Sequence, residues 1–207
     1  MKSRIATSAF FGTIFAFLFL ASMGRNLNHD EHQFIAPAAI LAEHGLQPYR
    51  DYPLFHLPNL VFLYARLFRL FEHPFLTARC FSIFCAFATA VLIFRVFRDS
   101  SSLSQTGWRS AASFAPAILF LFNPLALFTT GRAWNHDSTA LFTVLATILQ
   151  VNAARRDSIP HAAASAIYAG LAAGIRLTAA PILIPLWISI WFFPTTIVRR
   201  VLIGSVY

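Results

Sequence analysis

The sequence predicts an all-α integral membrane protein, and three observations predict it. Hydrophobic residues make up 57% of the chain and charged residues only 12%, whereas a soluble domain is about 25% charged. Apolar runs recur along the whole chain at close to the length that spans about 30 Å of hydrocarbon. The basic residues fall between those runs, where they fix topology. The expected architecture is about six transmembrane helices with juxtamembrane amphipathic helices in the first outer loop. The whole of 1–207 reads as a single polytopic membrane domain, with 25–75 as its outer loop.

The first span is 6–24, preceded by Lys2 and Arg4. Its apolar stretch is longer than a usual signal-peptide core, so a retained helix is preferred over a cleaved leader. Further runs cover about 79–97, 111–130, 138–153, 161–175 and 179–193. Segment 54–71 is different. His56, Asn59, Arg66, Arg69 and His73 share one side of a helix at about 100° per residue. An amphipathic helix of that kind lies in the interface more readily than it crosses. With that placement Lys2, Arg4, Arg98, Arg109, Arg155, Arg156, Arg199 and Arg200 all fall on the cytoplasmic side, as the positive-inside rule asks. A crossing segment would break the rule. The net charge of +8 is thus a topology signal, and no nucleic-acid partner is expected. Cys80 and Cys85 lie five apart, do not share a helix face, and read as packing residues.

The loop 25–53 holds four of the 8 acidic residues, Asp30, Glu31, Glu43 and Asp51. Helical spacing of Phe34, Ile35, Ala38, Ala39 and Leu41 predicts a short helix over 31–44, closed by Gly45. Asp30 is a candidate N-cap, with Glu31 favourable in the first turn. Asp137 is equally placed to cap a helix starting at Ser138. His29, Asp30, Glu31 and His32 do not have the His-Glu-x-x-His spacing of a metalloprotease, so no metal and no cofactor is predicted.

Several motifs share an order along the chain. Asp30-Glu31 follows the first span, then come Gly45, Pro48-Tyr49-Arg50-Asp51 and His56-Leu57-Pro58. Arg79 opens the second span, Arg132 and Asp137 follow the third, and Gly170, Gly174 and Arg176 mark a Gly-containing fifth. This order resembles the polytopic glycosyltransferases of the C superfamily. The nearest group holds the protein O-mannosyltransferases, aminoarabinose transferases and bacterial lipopolysaccharide-core transferases. His56-Leu57-Pro58 departs from the usual His-Pro-Pro. Members of that group have several hundred residues, so the resemblance makes this chain an N-terminal portion.

The resemblance implies transfer of a sugar from a polyprenyl-phosphate donor to an acceptor hydroxyl on the outer face. Asp30, Glu31 and Asp137 would be the catalytic acids: Asp30 the general base, Glu31 beside it supporting the helix start, and Asp137 orienting the acceptor or stabilising positive charge developing on the sugar. Arg79, Arg132 and Arg176 would converge on the lipid phosphate, with Tyr49, Asp51 and His56 also lining the substrate site. Taken singly, each arginine also fits snorkelling to headgroups. The partners implied are the polyprenyl-phosphate-linked sugar, a lipid, glycan or protein acceptor, and membrane lipids. The membrane implied is the bacterial plasma membrane, with the N-terminus cytoplasmic. The alternative is a non-catalytic fragment or a small lipid-binding or transport protein. Against transport, the spans are nearly charge-free and the charges gather at their ends.

Overall fold

The computed structural model describes residues 2–100, 112–192, 196–205 and 207. The expected basic connection 98–110 lies mostly outside these residues, Arg109 included. Every regular element among the described residues is helical, with no strand. The chain divides into two units, Met1–Asp137 and Ser138–Tyr207.

The first unit is built on α1 (Lys2–Met23) and α4 (Pro74–Ser100). Both contain stretches long and apolar enough to cross a membrane, Ile5–Met23 and Pro74–Asp99. Phe11, Ile14 and Leu18 from α1 meet Ile83, Ala90 and Phe94 from α4, and α5 (Ala115–Phe122) adds Ala117 and Leu121. The spacing of three, four and seven keeps these side chains on one face of each helix. Phe11 and Phe94 pack edge to face with ring centroids 5.2 Å apart. The outward faces stay apolar. Leu20 is 70% exposed and Leu119 is 72% exposed, a pattern that lipid satisfies and water does not.

The apolar run expected to cross over 111–130 is not one helix. α5 stops at Phe122, and Asn123 is extended (φ −70, ψ 152). Pro124 is the cause, because its ring disfavours helical geometry in the residue before it. The Asn123 side chain then accepts from Ala126 N at 2.9 Å and caps α6 (Pro124–Thr129).

Between α1 and α4 lie α2 (His29–His44) and α3 (Asn59–Phe68). Phe34, Ala38 and Leu41 of α2 pack against the buried face of α3, made by Leu60, Val61, Tyr64, Ala65 and Phe68. Gly45 ends α2 in the left-handed region, φ 71, with its N–H donating to Leu41 O, a conformation that suits glycine. At about 1.5 Å per residue α3 reaches only about 15 Å, too short to cross. Arg66 and Arg69 are exposed, and Arg69 Nη2 donates to Leu41 O at 3.3 Å.

The second unit contains most of α7 (His136–Arg156), then α8 (Ile159–Ile175), α9 (Leu183–Ser189) and α10 (Ile197–Gly204). α8 is rich in alanine, so backbones approach closely, and Ser165 Oγ donates to Ala146 O at 2.7 Å. Gln150 Nε2 donates to Leu186 O at 2.9 Å, and Tyr207 Oη donates to Gln150 Oε1 at 2.7 Å. The run expected to span 179–193 is a chain of short pieces: a 3₁₀ stretch Leu177–Ile182, then α9, then a 3₁₀ turn Ile190–Phe192. Pro181 and Pro185 lack the N–H that a continuous α-helix needs. Six uninterrupted spans are therefore not what the described residues form.

Candidate functional site

The most organised polar cluster lies in the first unit, where the end of α1, the start of α2, the early part of α4 and the turn 130–137 meet. It grows from the N-terminus of α2. Asn28, not Asp30, is the N-cap. Its Oδ1 accepts from Asp30 N at 2.9 Å, and Glu31 Oε2 accepts from Asn28 N at 2.9 Å. This is a capping box, the reciprocal exchange that satisfies two orphan donors of a helix start.

Glu31 does more than cap. It is fully buried. Arg79 grips it bidentately, Nε to Oε1 at 2.9 Å and Nη2 to Oε2 at 2.8 Å. Ala133 N donates to Oε1 at 2.9 Å, so Glu31 ties α2, α4 and the turn 130–137 together. Burial raises its proton affinity, but the Arg79 hydrogen bond and the Ala133 and Asn28 N–H groups outweigh that and hold the carboxyl below its ordinary range.

Arg79 is 1% exposed. Its remaining N–H groups point at the end of α1: Nη1 to Ser22 O at 2.6 Å and Arg25 O at 2.9 Å, and Nη2 to Asn26 O at 3.1 Å. A guanidinium has five N–H donors, and all of Arg79's are engaged within the chain. Placing this cation over the C-terminal carbonyls of α1 is favourable to the helix dipole. It has no donor left for the lipid phosphate that the sequence led us to expect there.

Asp137 occupies a different pocket of the same cluster. Its Oδ2 accepts from Gly131 N at 2.9 Å and Ser82 Oγ at 2.8 Å, and its Oδ1 from Thr130 Oγ1 at 3.3 Å. These donors are neutral. Burial dominates and pushes the carboxyl up to about 6, opposed by those hydrogen bonds and by Arg25. Ser82 Oγ also lies 2.6 Å from Arg132 O, so one hydroxyl proton serves two acceptors. Gly131 makes the turn possible. Its φ is +77, and a Cβ there would stand 2.7 Å from Ser22 Cβ. Ser22 Oγ closes the cluster by donating to Gly131 O.

The other residues singled out from sequence are scattered. The Asp30 side chain is 57% exposed and accepts from Gln33 Nε2 at 3.1 Å. Adjacent in sequence, Asp30 and Glu31 face opposite environments. Tyr49, Asp51 and His56 shape the 47–56 loop. Tyr49 Oη donates to His56 O, and His56 Nε2 pairs with Gln33 Oε1. Asp51 accepts from Gln47 N at 2.7 Å and from Arg50 at 2.8 and 2.9 Å. Arg50 is the main reason that its carboxyl lies below the ordinary range. Arg132 is half-buried and seated against Phe128 and Trp134. Arg176 belongs to the second unit, where it is half-buried and ends α8. Among the described residues no three His, Cys, Asp or Glu side chains gather in a metal-binding group. Sequence reasoning missed Ser22, Arg25, Ser82, Gly131 and the Ala133 N–H. Polar Ser22 and Ser82 within apolar runs were the available signal.

Residues 26–193 match the family model of PIG-U, described as the GPI transamidase subunit PIG-U. That stretch is most of the chain, and the chain belongs to this family. No curated protein and no solved structure matches it significantly. The match overturns the C-superfamily glycosyltransferase assignment, because it covers the residues that carried the resemblance with a different family. It also overturns sugar transfer as the function and the polyprenyl-phosphate sugar as the partner: the family is described by membership of a transamidase, which exchanges amides. The bacterial plasma membrane loses its support for the same reason.

Proposed function

From its membership of the PIG-U family, we propose that this chain is a membrane subunit of a GPI transamidase complex, resident in the endoplasmic reticulum. The observation that carries the reading is the family match over 26–193. Protein partners, the other subunits of that complex, replace the sugar donor. The site geometry supports a positioning role. Glu31 and Arg79 spend their hydrogen bonds on each other and on the backbone of three segments, which holds the first outer loop in one shape for a partner.

The same reading takes the chain as one polytopic domain of about six crossings with a cytoplasmic N-terminus. The runs 111–130 and 179–193 would cross as broken helices, their freed backbone groups satisfied by neighbours. The loop 25–53 and the turn 131–137 would then face the lumen together. Hydrogen bonds between Glu31 and Ala133 N and between Ser22 and Gly131 support placing them on one side.

The test is complementation. The tagged full chain, expressed in cells lacking their own PIG-U, should co-purify with the remaining transamidase subunits and restore GPI-anchored proteins to the cell surface. A chain that inserts into the membrane at normal levels yet neither co-purifies nor restores display would refute the assignment.

A further inference from the structure

Arg79 is saturated, but a second guanidinium pair beside it is not. Arg25 lies two residues beyond the apolar stretch Ile5–Met23. Its Nη1 donates to Thr130 O at 2.7 Å and Phe128 O at 3.4 Å, and its Nη2 to Leu127 O. These are the carbonyls at the C-terminal end of α6. Arg132 Nε donates to the same Phe128 O at 3.0 Å. Two guanidiniums thus stand side by side over one short helix end. Arg132 is cradled between aromatic faces, its Cζ 5.1 Å from the Phe128 ring centroid and 5.2 Å from that of Trp134. That seat fixes the guanidinium plane, yet among the described residues only its Nε finds an acceptor. The Trp134 indole N–H next to it is buried and also has no acceptor among the described residues.

Charge points the same way. The charged groups that act on Arg25 are Arg132, Arg79, Asp137 and Glu31. Three guanidiniums therefore share a partly desolvated corner with two carboxylates, and one of those carboxylates is already committed to Arg79. Exposed apolar side chains lie on the same two helices: Leu20 on α1 is 70% exposed, and Leu125 and Phe128 on α6 are 65% and 55% exposed. Unpaired donors, a surplus positive charge and exposed apolar side chains at the end of a spanning stretch together describe the headgroup level of a bilayer.

We propose that Arg132, seated beside Arg25 over the end of α6, holds the phosphate of an anionic membrane lipid. The Nη groups of Arg132 offer the fork that matches a phosphate bidentately. Leu20, Leu125 and Phe128 would meet the upper acyl chain. This goes beyond the role as a complex subunit and does not rest on it, since it concerns the lipid that surrounds the chain.

The experiment uses the full chain in nanodiscs of phosphatidylcholine with a minor fraction of phosphatidylglycerol, and native mass spectrometry of the lipid retained on release. The wild type should retain phosphatidylglycerol in preference to phosphatidylcholine. Arg132→Gln should cut that retention by about tenfold, the scale of one lost hydrogen bond to a charged group. Arg132→Lys should fall between, because the charge stays and the fork is lost. Arg66→Gln, on the exposed face of α3, should change nothing. No preference in the wild type overturns the proposal whatever the variants do. So does full retention in folded Arg132→Gln, or an equal loss in Arg66→Gln, which would mean diffuse attraction to basic charge. In a parallel arm inorganic phosphate is added to the wild type in phosphatidylcholine alone. Saturable binding of inorganic phosphate without phosphatidylglycerol retention would make this a free-phosphate site and overturn the lipid assignment.

Discussion

Glu31 and Asp137 are buried carboxylates of one cluster, and the chain treats them in opposite ways. Glu31 has a guanidinium across from it and two backbone N–H groups beside it, so it stays ionised despite burial. Asp137 has a backbone N–H and two hydroxyls, and burial prevails until its carboxyl titrates at about 6. Burying a carboxylate is costly unless it is paired and hydrogen-bonded. The difference shows that neutral hydrogen-bond donors leave the carboxyl of a buried acid raised, whereas a guanidinium in direct contact holds it below its ordinary range.

The largest expected effect comes from removing that cation. Arg79→Ala would strand Glu31 as a buried charge and uncap the end of α1. Breaking one side of a buried pair costs about 3–5 kcal/mol. The folded fraction in thermal melts of the detergent-solubilised protein should drop accordingly. Arg79→Lys should recover only part, because one ammonium cannot reach Glu31 and the carbonyls of Ser22, Arg25 and Asn26 together. A melt unchanged in Arg79→Ala would show that the pair is not what holds the loop.

Adjacent residues sharpen the comparison further. Glu31→Gln keeps the shape and one acceptor but removes the charge opposite Arg79, at a cost of about 1.5–3 kcal/mol for a charged hydrogen bond. Asp30→Asn alters an exposed side chain and should stay within about 0.5 kcal/mol. The sequence ranks these two the other way, with Asp30 as the central acid. Equal destabilisation by both substitutions would contradict the burial difference between them.

Why the ranking inverts is instructive. The apolar spacing of Phe34, Ala38 and Leu41 made α2 legible, and Gly45 marked its end. The capping box was also present as Asn28-x-x-Glu31, but six polar residues in a row, Asn28 to Gln33, left the first helical residue ambiguous. Which of two neighbouring acids turns inward depends on that register and on Arg79, 48 positions away. The long apolar stretches of α1 and α4 were legible because length and hydropathy are local properties. The break at Asn123-Pro124 was legible in principle, since a proline after an extended residue interrupts a helix, but hydropathy alone masked it. Arg25 was invisible as a site residue, because its partners are backbone carbonyls at 127–130, and a sequence gives no sign of which carbonyls will be free. The order of motifs misled for a related reason. Short acidic, proline and arginine signals at the ends of spans arise from capping and topology in any polytopic protein, so their sequence carries less family information than a match along 26–193.

The smallest effect at neutral pH, and the most discriminating, is at Asp137. Its folded carboxyl titrates near 6, above the unfolded value of about 3.9. Between these values the folded state binds more protons than the unfolded state, so stability falls as pH rises from about 4 to about 6 and is level above that. Glu31 has the opposite sign. Its folded value is depressed, so its contribution is present above the ordinary glutamate range and is lost as pH falls through the folded value. Asp137→Asn should abolish the loss between pH 4 and 6 and leave the acid-side loss due to Glu31 in place. The amide is also sterically suited: its oxygen can accept from Gly131 N and Ser82 Oγ, while its NH₂ faces Thr130 Oγ1. Near pH 7 the substitution should therefore be neutral within about 1 kcal/mol or stabilising, since it removes a buried charge that has no cation of its own. Thermal melts of wild type and Asp137→Asn across pH 4 to 8 would check this. A variant whose pH profile keeps the wild-type slope between 4 and 6 would assign that slope to another group and erase the contrast between the two pockets.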